Sequence, residues 1–179
     1  MDKKTLTQKT ALAALMCAQA IAISFLEGLI PTSAFLPPGA KLGLSNVVTM
    51  FCVETLSFPY ALCVTLFKAL FALLTRGVTA GIMSFSGGLL SALATYGLIK
   101  LKKLDIGYIG IAVCSAVCHN AAQLAVSVAI SGTPAVVLYA PVLFASSAVT
   151  GILTGILLKA VMPVLKKQNH IITKGVENL

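Results

Sequence analysis

Charge is what this sequence has least of. Only 10% of its 179 residues are charged, where a soluble domain carries about 25%. Acidic residues are scarcer still: Asp2, Glu27, Glu54, Asp105 and Glu177 are all there are, and no two are adjacent. Phosphoryl and prenyl transfer require clustered carboxylates to hold magnesium on a diphosphate, so that chemistry is excluded. No glycine-rich phosphate loop of the Walker type is present either, and the chain does not hydrolyse ATP by itself. The five cysteines lie inside apolar stretches and form no extracellular disulfide framework. Cys114-x3-Cys118-His119 lacks a fourth ligand and has the wrong spacing for a zinc site. No catalytic residue, metal or cofactor is expected.

What fills the sequence is apolar. Hydrophobic residues make up 58% of the chain and the mean hydropathy is +0.99. This composition predicts an all-α polytopic membrane bundle, a single integral domain over residues 1–179. A helix needs about 20 residues to cross the hydrocarbon core, and six apolar runs approach that length: about 11–30, 42–56, 59–75, 87–101, 106–130 and 135–165. The 13 basic residues outnumber the 5 acidic ones, but they sit at the ends of apolar runs and suggest membrane orientation rather than nucleic-acid binding. With the N-terminus inside, Lys3, Lys4, Lys9, Lys100, Lys102, Lys103, Lys166, Lys167 and Lys174 are cytoplasmic, nine in all. Lys41 and Arg76 alone fall in outward loops. The positive-inside rule therefore places both termini in the cytoplasm.

That topology aims two irregular segments at the outer side. One is 31–46, containing Pro37-Pro38-Gly39-Ala40-Lys41-Leu42-Gly43-Leu44-Ser45-Asn46. The other is 76–88, rich in glycine and serine. Non-helical backbone at membrane depth survives only inside protein or along a wet cavity. Polar residues gather at the same level: Glu27, Lys41, Asn46, Arg76, Ser84, His119, Asn120 and Gln123 are the expected substrate-binding set. Ala116, His119, Asn120, Gln123 and Ser127 share a helix face. Two readings stand for this stripe, interhelical hydrogen bonding or a ligand site. Two also stand for Glu27, a charge pair with Lys41 or Arg76, or a contact to ligand. Lys68 either pairs or snorkels, and Glu54 is an interfacial charge. The small residues Gly151 and Gly155 suit internal helix packing, whereas Ala14, Ala18 and Ala22 form a ridge suited to docking another subunit.

The segments 38–46, Ser84-Phe85-Ser86-Gly87-Gly88 and His119-Asn120-x2-Gln123 resemble the bacterial Gx transporter family, also labelled heptaprenyl diphosphate synthase component I. More distantly, the layout is similar to substrate-capture subunits of energy-coupling factor transporters. The resemblance implies a bacterial cell-membrane protein that captures a small vitamin-like or isoprenoid-related molecule at the outer face. It also implies partnership with a membrane scaffold and ATPase subunits. The alternatives are a non-catalytic membrane partner of a polyprenyl diphosphate synthase, or of a quinone- or flavin-linked electron-transfer system.

Overall fold

The computed structural model describes residues 3–30, 41, 43–101 and 106–177. Most of the first irregular segment (31–40 and Leu42), together with Lys102, Lys103 and Asp105, lies outside the described residues, as do the side chains of Lys3, Lys4, Lys166, Lys167 and Lys174. Six helices follow one another: α1 Lys3–Gly28, α2 Asn46–Thr55, α3 Phe58–Arg76, α4 Val78–Lys100, α5 Tyr108–Ser131 and α6 Ala140–Glu177. A 3-10 turn, Pro134–Tyr139, leads into α6.

The breaks have local causes. Pro59 occupies the first turn of α3, where its missing N–H would have no helical partner anyway. Gly77 sits at φ +91° between α3 and α4, and Gly132 at φ +62° ends α5. Both are conformations that glycine adopts without a Cβ penalty.

Among the described residues, five segments are long and apolar enough to cross a membrane: Leu6–Gly28, Phe58–Arg76, Val78–Lys100, Tyr108–Ser131 and Pro134–Pro163. Their outward surfaces carry the large apolar residues, among them Leu66, Phe67, Leu74, Val149 and Ile156, as expected where the solvent is lipid. The chain is a multi-pass membrane protein.

Two expectations need correction. The six apolar runs become six helices, but α2 has ten residues, or about 15 Å of rise. That is half the hydrocarbon thickness, so α2 is a half-helix, shorter than the span expected over 42–56. Its residues Val48 to Val53 are all buried because α1, α3, α4, α5 and α6 surround it. The segment 76–88 is likewise no loop. A single glycine breaks the chain, and helix resumes at Val78. The glycines that suggested a loop are packing positions instead. A Cβ on Gly81 would lie 2.9 Å from Leu73, and one on Gly88 would lie 2.7 Å from Thr65.

Hydrogen bonds between helices supply what apolar packing cannot in lipid. Ser91 and Thr95 of α4 meet the Ser115 hydroxyl of α5 at 2.7 and 2.9 Å. Gly151 and Gly155 let α6 approach the backbone of α5, since a Cβ on either would fall 2.5 Å from the Cα of Val113 or Ile109.

Candidate functional site

Near the end of the bundle formed by Gly28, Arg76 and Gly132, polar side chains from five parts of the chain converge on one cavity. Helix α1 contributes Ser24 and Glu27, and the segment before α2 contributes Lys41, Gly43 and Ser45. Helix α3 gives Lys68 and Arg76, α4 gives Ala80 and Ser84, and α5 gives His119 and Gln123. Counted along the helices, Lys68 lies about 12 Å below Arg76 and His119 about 18 Å below Ser131. The site therefore reaches into the membrane from one side.

The half-helix explains this depth. Because α2 starts midway, its N-terminus and the preceding backbone open into the cavity. Glu27 reaches across from α1, and its Oε1 accepts the backbone N–H groups of Gly43 and of Leu44, the latter at 3.2 Å. Glu27 Oε2 is buried without a hydrogen-bond partner. The Lys41 ammonium returns the link by donating to the Ser24 carbonyl and, at 3.3 Å, to the Ser24 hydroxyl. Lys68, 2% exposed, donates to Asn46 Oδ1 at 2.6 Å, using one of the three donors an ammonium carries.

Gln123 and His119 extend the network. The Lys41 backbone N–H donates to Gln123 Oε1 at 3.1 Å, which fixes the amide so that its Nε2 faces His119 Nε2 at 2.6 Å. An imidazole accepting there holds its proton on Nδ1. Two glycines make room for this ring. A Cβ on Gly43 would stand 3.0 Å from His119 Cδ2, and one on Gly87 would stand 2.7 Å from Cε1 and Nδ1. Gly87→Ala is therefore expected to destabilise the protein by about 1–3 kcal/mol through overpacking and to displace the imidazole from Gln123. Thermal unfolding in detergent measures the first effect. An unchanged midpoint would show that α4 and α5 separate at no cost.

Of the expected site residues, Glu27, Lys41, Arg76, Ser84, His119 and Gln123 line the cavity. Asn46 stands one contact behind it, holding Lys68. Asn120 turns away to α6, donating to the Leu143 carbonyl at 3.1 Å and the Ser147 hydroxyl at 2.8 Å, so it joins α5 to α6. Ser24, Gly43 and Ser45 were not in the expected set, and Lys68 was left between two readings. Ser24 was discoverable, since it lies one turn before Glu27 on the same helix face. Ala14, Ala18 and Ala22 are exposed along α1.

The cavity is partly open and small, about 10 Å³, room for about one water. A separate apolar cleft of about 350 Å³ lies between α1, α2 and α6, lined by residues such as Met16, Ile23, Phe51 and Leu158.

A family model described as heptaprenyl diphosphate synthase component I matches residues 16–161. The chain belongs to that family. The matched region includes every cavity residue and the half-helix. The chain is also similar to a solved S component of a bacterial ECF transporter, with 18% identity, 92% of this chain and 99% of that chain covered, and a TM-score of 0.47. No curated protein matches it.

Proposed function

We propose that this protein is a non-catalytic membrane transport subunit of the bacterial cell membrane that captures a small molecule in the polar cavity at its Arg76 end. The observation that supports this most is the concentration of buried charge there. Lys68 is 2% exposed and Glu27 3% exposed, and Lys41 and Arg76 line the same space. Ionisable groups within a membrane are costly and mark ligand or ion pathways. The bonds joining α4 to α5 and α5 to α6 use hydroxyls, backbone carbonyls and one amide, with no need of charge. The cavity has a single carboxylate among its described lining residues, which suits recognition rather than metal-assisted transfer chemistry.

In this reading Lys41, Lys68 and Arg76 attract an acidic or acceptor-rich group, while Ser24, Ser84, His119 and Gln123 orient the rest. Asn46 positions Lys68. The ligand enters from outside, and a separate energy-coupling scaffold with ATPases drives passage inward, since the sequence carries no Walker-type phosphate loop of its own; coupling to an ion gradient is the alternative. The exposed ridge of Ala14, Ala18 and Ala22 is the proposed dock. Small-molecule mass spectrometry of the protein purified from cells tests capture. One compound at near-stoichiometric amount is expected. A reproducibly empty protein would refute capture.

Orientation is tested separately. In a cysteine-free background, Thr79→Cys and Ser131→Cys should react with an impermeant thiol reagent applied to intact cells, and Lys100→Cys should not. Labelling at position 100 alone would invert the topology.

The family description favours a second reading, a membrane partner of a prenyl diphosphate synthase. The apolar cleft between α1, α2 and α6 has room for part of an isoprenoid chain. Co-purification of a synthase with an otherwise empty protein would select that reading.

A further inference from the structure

We propose that the Glu27 carboxylate is a built-in substitute for the acid group of the ligand. The captured molecule is a carboxylate or phosphate anion that displaces Glu27 from the Gly43 and Leu44 N–H groups just before α2. This deepens the capture reading above and rests on it.

Three observations carry the inference. First, the backbone just before α2 is already used as an anion site. Glu27 Oε1 accepts the N–H groups of both Gly43 and Leu44, and Ser45 at the helix start makes no side-chain capping bond. The first N–H groups of α2, those of Asn46, Val47 and Val48, donate to the carbonyls of Gly43, Leu44 and Ser45, so the N–H groups offered to an anion are those of Gly43 and Leu44, with the positive end of the helix dipole behind them. Second, Glu27 is a poor permanent occupant. Its Oε2 is buried with no hydrogen-bond partner, a costly state for a group that is 3% exposed. Third, charge is unbalanced around it. Lys41, Lys68 and Arg76 line the cavity against one carboxylate, three positive charges less one negative, a surplus of two. Among the described residues Lys68 donates to Asn46, which leaves further ammonium donors directed at the cavity. An entering anion answers all of these at once, because it takes the N–H groups and meets the surplus charge.

The latch follows from the same contacts. Glu27 belongs to α1 and its two N–H donors, Gly43 and Leu44, to the backbone before α2, so the two hydrogen bonds tie these residues to α1 beside the cavity. Displacement of Glu27 by the ligand's acid group releases them, and the freed carboxylate remains beside the cations. Charge-assisted hydrogen bonds are roughly twice as strong as neutral ones, so the latch yields to another anion more readily than to a neutral molecule.

The test uses inorganic phosphate and benzoate as probes on the full chain in detergent. Glu27→Gln keeps the size of the side chain and removes its charge. It should bind at least one of the two anions about tenfold more tightly than the wild type, by calorimetry. Glu54→Gln, at the opposite end of the bundle, should bind as the wild type does. General electrostatics would also favour the first result, so NMR on the wild type supplies the second arm. Titration with the tighter-binding probe should move the Gly43 and Leu44 amide protons and the Glu27 carboxyl carbon together. The proposal is overturned if Glu27→Gln binds neither anion more tightly, or if these three resonances stay fixed while an anion binds. If the variant does not fold, the wild-type NMR arm decides alone. A wild-type protein that carries a co-purified ligand yet fails these tests leaves capture standing and removes the displacement.

Discussion

Lys68→Met should empty the cavity while leaving the fold intact. Lys68 is buried on α3 and donates to Asn46 at 2.6 Å. Methionine has similar length and removes the cost of burying an ammonium, at the expense of an unsatisfied Asn46 oxygen of about 1–3 kcal/mol. The net change in unfolding midpoint is therefore small. Binding is different, because a ligand acid group loses its buried counter-charge. Removing one partner of such a pair costs about 2–5 kcal/mol, or about 30-fold or more in affinity. Ligand content by mass spectrometry, beside thermal unfolding of the same sample, separates the two effects. Wild-type ligand content in a folded Lys68→Met protein would show that the cation is structural.

The second large effect concerns α1. Replacing Ala14 and Ala18 together with tryptophan should abolish complex formation and uptake, and leave ligand binding by the isolated subunit unchanged. Both alanines are exposed on a helix whose other side packs on α2 and α3. In lipid, close helix approach depends on small residues, and an indole at each position holds a partner helix away. The cavity lies beyond them along α1, at Ser24 and Glu27, so binding is spared. Co-purification with the coupling subunits and cell uptake are the measurements. Normal assembly and transport by the double variant would move the dock elsewhere.

How far the sequence reveals this arrangement depends on the kind of signal. Apolar length reads directly, and the runs later occupied by α1, α3, α5 and α6 are placed to within a few residues, except that α1 begins before and α6 continues beyond the apolar run. Glycine is ambiguous. Gly77 breaks a helix through a positive φ, whereas Gly87 and Gly88 lie within a helix and accommodate His119 and Thr65. Nothing local tells a turn from a close contact, since the deciding atoms belong to distant segments. Helix α2 is obscured for a related reason. Its apolar content suits a span, but its length places its start in mid-bundle. Adjacent residues on a helix point about 100° apart, so His119 and Gln123 share the cavity while Asn120 faces α6. A polar stripe identifies the helix and not the angular edge of the site. Lys68 stays ambiguous in sequence because its partner Asn46 is brought to it only by the half-helix.

A ligand-bound structure of the protein, with the compound found at stoichiometric amount, tests the central claim most directly. The account predicts the compound's acid group among Lys41, Lys68, Arg76 and the Gly43 and Leu44 N–H groups before α2, in a cavity enlarged well beyond 10 Å³. A compound seated in the apolar cleft between α1, α2 and α6, with the polar cavity unchanged, would contradict it.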